Sequence, residues 1–119
     1  MKMDEMIKTT IRQTRGPKLV FTGKRIAQAE FTTQGREPLS WLLEIWETAG
    51  GAYIAYSSSL PAERQDGLED VRCTVVEPGE HGGDQRAMQF AVMDHFEWTQ
   101  RAKDMVRKQL KWKLAREVA

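Results

Sequence analysis

LSWLLEIWETAGGAYIAYSSS, residues 39–59, decides the fold. Large apolar and β-branched side chains alternate with smaller or polar ones on both sides of Ala49-Gly50-Gly51, the pattern of two strands joined by a tight turn. Period-two alternation sends Trp41, Leu43 and Ile45 to one face and Leu42, Glu44 and Trp46 to the other. A tight Gly-Gly turn would set Trp41, Leu43 and Ile45 opposite Ile54 and Tyr56, as the core face. It would leave Trp46 and Tyr53 beside Glu44 on a second, partly polar face that something else covers.

Upstream, IKTTIRQT is rich in β-branched residues and reads as a strand over residues 6–13, although Met3, Met6, Ile7, Thr10 and Ile11 also fit helical spacing. TRGP at 14–17 is a turn, because proline biases the residue before it away from helix. Residues 18–33, KLVFTGKRIAQAEFTT, form a long strand bent at Gly23, where a glycine marks a bulge or a close backbone approach; a short helix over GKRIAQAE is the alternative. Downstream, LPAERQDGLED is a loop or a single helical turn. VRCTVVE (71–77) is a further strand with Val71, Cys73 and Val75 on one side.

Asp84 is placed to cap a helix, and no Gly or Pro interrupts residues 85–118. That region is read as helical. In its first half apolar residues occur nearly all round, with Met88, Val92 and Phe96 in one row and Ala87, Ala91 and Trp98 in another, so the helix is buried on several sides or shared with a partner. In its second half a narrower stripe runs through Ala102, Met105, Val106, Leu110 and Leu114. One helix of about 34 residues would be about 50 Å long, so it bends near Thr99 or projects toward another copy. The expected architecture is a single α+β domain over residues 1–119: an antiparallel sheet of four to five strands within residues 6–77, followed by one bent or two C-terminal helices packed on one face.

A chain of 119 residues that is 40% apolar supports one core. No run approaches the ~18 apolar residues of a membrane span, and MKMDEMIK carries acids where a secretory leader would be apolar. With Cys73 as its one cysteine the chain has no internal disulfide, which points to the cytoplasm. The net charge of +1 conceals a division into +5 for residues 1–25, −9 for 26–100 and +5 for 101–119, from seven Lys/Arg against two acids, four against thirteen, and seven against two. The basic end, RAKDMVRKQLKWKLAR, has two readings. Arg101, Lys103, Arg107, Lys108 and Lys111 could contact nucleic acid or an acidic partner protein, with Trp112 as a stacking side chain, or they could answer the acids of the chain's own middle.

No catalytic or metal constellation is read, and no cofactor is expected. The two histidines lie fourteen residues apart, and Asp94, His95 and Glu97 point to different sides of a helix. Ser57, Ser58 and Ser59 lack a G-x-S-x-G turn and read as the end of a strand running into loop. Cys73, between Val71 and Val75, reads as a core thiol. Glu44 and Glu47 face opposite sides of their strand, and AGGA and HGGD lack the lysine and spacing of a phosphate loop.

Phe21-x-Gly23-x-x-Ile26-Ala27, followed by Trp46-x-Thr48-x-x-Gly51-x-Tyr53, resembles the F-x-G-x-x-L-A … Y-x-T-x-x-G-x-Y/F pattern of EXLDI-type small proteins of bacterial mobile elements. Trp46 stands where that family has Tyr, and Glu47 where it has Arg. The resemblance covers residues 21–53 and implies a bacterial, mobile-element origin without a known activity. The expected function is therefore binding without catalysis: an accessory protein acting as a homodimer through Phe90, Met93, Phe96, Trp98 and Trp46, with the basic helix as its contact surface. The alternative is a small-molecule-binding domain with Trp41, Tyr56, Trp46 and Tyr53 lining an aromatic pocket between sheet and helices.

Overall fold

The computed structural model describes residues 6–62, 69–116 and 118. Five strands, β1 (Ile7–Ile11), β2 (Leu19–Thr32), β3 (Leu39–Thr48), β4 (Tyr53–Pro61) and β5 (Asp70–Val76), pair antiparallel in chain order. A single 3-10 turn, Pro78–His81, leads into α1 (Gln85–His95) and α2 (Gln100–Gln109). This is the expected α+β architecture, with residues 7–11 as strand rather than helix. Residues 1–5, ahead of the first strand, and most of the loop read in LPAERQDGLED lie outside the described residues.

The hairpin forms where the sequence places it, but one register step away. Its loop is three residues, Ala49-Gly50-Gly51, closed by Thr48 N–H donating to the Ala52 carbonyl at 2.9 Å. Gly51, at φ +85°, supplies the left-handed residue that such a loop requires. The odd loop length pairs Ile45 with Ala55, Trp46 with Ile54 and Glu47 with Tyr53. Tyr53, Ala55 and Ser57 therefore share a face with Trp41, Leu43 and Ile45, while Ile54 and Tyr56 join Glu44 and Trp46. Trp41, Leu43 and Ile45 do face the helices as expected; their partners from β4 are the opposite set.

β2 remains a strand throughout, which removes the alternative helix. Gly23 is a close approach: a Cβ there would lie 2.5 Å from the Glu47 carbonyl oxygen of β3. The register break itself falls between Arg25 and Ala27.

The sheet curls until its two edges meet. Just past β1, Thr14 N–H donates to the Val71 carbonyl at 2.9 Å, and the side-chain oxygens of Thr14 and Gln13 accept from Val71 N–H and Cys73 N–H of β5. The curl encloses a small core in which Ile11, Ile54 and Val71 are buried, flanked by Phe21, Trp46, Tyr56 and Cys73. Ile11 and Val71 come from the first and last strands, so closing the curl is what covers the second face of the hairpin.

The main core lies on the other face. Ala27, Leu43, Ile45, Tyr53, Ala55 and Val76 of the sheet meet Met88, Val92, Met93 and Phe96 of the first helix and its end, and Ala102, Met105 and Val106 of α2. Asp84 caps α1 by accepting from Arg86 and Ala87 N–H. The two helices are separated by a corner in which Glu97 and Trp98 both adopt positive φ (55° and 52°), with Trp98 N–H returning to the Met93 carbonyl and Thr99 as the next N-cap. The bend expected near Thr99 is thus present.

The helical reading of residues 85–118 is too long at its far end. α2 stops at Gln109, and Lys111, at φ +59°, turns the chain into an extended strap in which Trp112 and Leu114 are buried and Lys111 and Lys113 exposed. Trp112 packs on Tyr53, ring centroids 5.4 Å apart. Burying this indole and Leu114 on the sheet is what an amphipathic helix continuing past 109 would forgo. Arg86 of α1 bonds the Ala115 carbonyl and ties the strap down.

Candidate functional site

α1 packs over β4 and β5 while α2 packs over β2, so the helices diverge across the sheet. Below their corner a cleft of about 790 Å³ opens on the helix-facing side. Antiparallel pairing sets its floor in cross-strand rows. Phe31, Trp41, Ser59 and Asp70 form one row, and Leu43, Ser57 and Arg72 the next. The small serines of β4 leave space where bulkier residues would fill it.

One wall is aromatic: Phe31 and Trp41 stack with centroids 6.4 Å apart and planes 11° apart. The Arg101 guanidinium lies 5.0 Å over the Phe31 ring. Opposite stands His95, delivered by the last turn of α1. Its Nε2 is 3.1 Å from the Ser57 hydroxyl and its Nδ1 2.7 Å from the Thr74 hydroxyl. Burial, then the charge of Arg72, hold its pKa below the ordinary histidine value, only partly opposed by Glu97. The imidazole is accordingly neutral at pH 7, one nitrogen donating and the other accepting, and either hydroxyl can take the complementary role.

Asp70 and Arg72 form an ion pair at 3.0 Å at one edge of the cleft. Asp94 and Glu97 stand at the helix corner, where Asp94 accepts from the Trp98 indole N–H at 2.8 Å.

Inside the curl is a second polar cluster. The buried Glu44 carboxylate accepts from Arg25 at 3.0 Å and from the Trp46 indole at 2.9 Å. Burial pushes the half-buried Cys73 thiol up to about 11, with Glu44 adding to it, and burial also raises Tyr56. That is the chemistry of an unreactive thiol. Among the described residues no three metal-ligating side chains come together, and no helix is long and apolar enough to cross a membrane.

Of the four residues expected in an aromatic pocket, Trp41 alone lines this cleft. Tyr53 is on the same face but buried against Trp112, its pKa raised first by burial and then by Glu47. Trp46 and Tyr56 lie on the other face, inside the curl.

The residues named for a dimer surface are likewise dispersed. Met93 and Phe96 are buried in the chain's own core, and Phe90 and Trp98 pair edge-to-face at 5.1 Å on the helices' far side from Trp46. Arg101, Arg107, Lys108 and Lys111 are exposed and Lys103 partly so, and neither described ion pair involves them. Trp112 is buried and is not free to stack on a base.

Ser57, Thr74, Arg72 and His95 carry the cleft, and the sequence reading passed over them as a group. Ser57 to Ser59 lie within β4 rather than loop. No family model matches the chain, and no curated protein or solved structure matches it. The residues behind the EXLDI-type resemblance occupy the bend of β2 and the β3–β4 hairpin.

Proposed function

We propose that the chain is a non-catalytic domain that binds a small molecule in the cleft between sheet and helix corner. The observation that carries this reading is the pairing of the Phe31–Trp41 wall with the Ser57–His95–Thr74 cluster across a cleft of about 790 Å³. Such a combination of flat apolar surface and a few convergent polar groups is how proteins hold drug-sized ligands, in pockets of roughly 300 to 1,000 Å³. Ser57 and His95 are within reach of one another, but the second nitrogen of His95 meets the Thr74 hydroxyl rather than a carboxylate that would orient it as a base, so binding is favoured over acyl transfer.

The test is a fluorescence screen of small aromatic and amphipathic compounds, repeated with Trp41→Phe. A ligand that changes emission in the wild type, and whose signal is lost or reversed in the variant, supports the reading. Equal signals in both, or no responding compound, sink it.

A second reading rests on Arg101, Arg107, Lys108 and Lys111, exposed and outside the described ion pairs, with the partly exposed Lys103: contact with nucleic acid in a bacterial, mobile-element and cytoplasmic setting, as a homodimer. Binding across a salt series would fall steeply with ionic strength if several of these side chains neutralise phosphates.

A further inference from the structure

We infer that the cleft selects an organic cation, an ammonium group carried on a flat or compact apolar body. This rests on the reading of the cleft as a ligand site. Four acidic or basic side chains line it: Asp70, Arg72, Asp94 and Glu97. Three carboxylates against one guanidinium leave an excess of two negative charges, and the guanidinium is already engaged by Asp70 at 3.0 Å. Asp94 and Glu97 are the carboxylates at the helix corner, although at His95 the charge of Arg72 outweighs that of Glu97. The indole N–H that Asp94 accepts from Trp98 orders that carboxylate without neutralising it.

The aromatic wall has the same preference. The faces of Trp and Phe rings are the negative pole of their quadrupole and attract cations, Trp most strongly. Phe31 already holds one, the Arg101 guanidinium at 5.0 Å, whose charge offsets one of the two excess negative charges and leaves Trp41 as the ring for a ligand cation. Both nitrogens of His95 are taken by Ser57 and Thr74, so this wall offers a ligand the remaining lone pairs of the two hydroxyls. An anion would meet the corner carboxylates and an electron-rich wall. A cation finds complementary groups on both sides.

Three probes of one skeleton separate charge from shape: tryptamine as the cation, tryptophol as its neutral counterpart and indole-3-acetate as the anion, each titrated calorimetrically into the full chain. Tryptamine should bind at least about tenfold tighter than tryptophol, with indole-3-acetate weakest and the preference shrinking as salt rises. Asp94→Asn together with Glu97→Gln should erase most of the gap between tryptamine and tryptophol. Asn retains an oxygen for the Trp98 indole, and an unaltered thermal midpoint would verify that the variant folds.

Equal or tighter binding of the alcohol or the acid overturns the cation preference and leaves the cleft as a ligand site. Failure of all three to bind also overturns it; the cleft reading falls only if the wider fluorescence screen is silent as well. A preference that survives in the double variant would locate the cation elsewhere and overturn this assignment.

Discussion

Ser57 and His95 lie 38 residues apart in the chain and meet at 3.1 Å, hydroxyl to Nε2, between β4 and the end of α1. With Thr74 on the other ring nitrogen the imidazole is held by β4 and β5 together. The contact joins the helical layer to the sheet in the lining of the cleft.

Because burial and Arg72 hold His95 below its ordinary value of 6.5, folding and protonation are coupled. Above that value the ring is neutral in both folded and unfolded chains, and the full stability is present. As pH falls below it, the unfolded chain takes up a proton that the folded one resists, so stability declines until the folded pKa is passed and then levels off. Urea midpoints measured between about pH 5 and 8 should fall toward acid in the wild type. In His95→Gln the slope should be visibly shallower, and identical slopes would mean that another group carries the pH dependence.

Gly23→Ala should be among the more damaging single-methyl changes. The added Cβ would lie 2.5 Å from the Glu47 carbonyl oxygen and 3.0 Å from the Phe21 ring, so β2 and β3 must part at this pair. The expected loss is about 1 to 3 kcal/mol, as for other overpacked sites. A denaturation midpoint within error of the wild type would show that the strands separate there at no cost.

The alternation in 39–48 and 53–57 made two strands legible because each side of the hairpin is packed, and the main-core face of β3 could be read from Trp41, Leu43 and Ile45. Which residues of β4 joined that face could not. A loop of two residues and a loop of three differ by one step, and one step exchanges Tyr53 and Ala55 for Ile54 and Tyr56. The far end of α2 was hidden for a different reason. Residues 110–116 contain no helix breaker, and the chain leaves the helix at Lys111 because burying Trp112 and Leu114 on the sheet outweighs local propensity. The cleft was least legible of all, since Ser57, Thr74 and His95 have no linear spacing that would announce them; curl and helix corner bring them together.

Glu44 should matter more to stability than its partner Arg25. The carboxylate is buried and accepts from both the Trp46 indole and Arg25, whereas the Arg25 side chain is 47% exposed and can be rehydrated. Glu44→Ala leaves the indole N–H without its acceptor and should cost about 1 to 3 kcal/mol. Arg25→Ala should cost under about 1 kcal/mol. The reverse order in chemical denaturation would place the burden on the guanidinium.

Glu97 is the residue at which stability and binding are expected to part. It sits at φ 55° in the corner between α1 and α2, a conformation that costs a non-glycine residue about 1 to 2 kcal/mol. Glu97→Gly relieves that strain, offset by the greater freedom of glycine in the unfolded chain, which costs roughly 0.5 to 1 kcal/mol. The net expectation is a gain of a few tenths up to about 1 kcal/mol. The same change removes one of the two carboxylates at the helix corner of the cleft, so affinity for tryptamine should drop while the urea midpoint rises. Opposite movement of the two readouts is not what general damage to the corner would produce, because a loosened corner lowers both. If stability falls instead, the Glu97 side chain contributes more to the corner than its backbone strain costs.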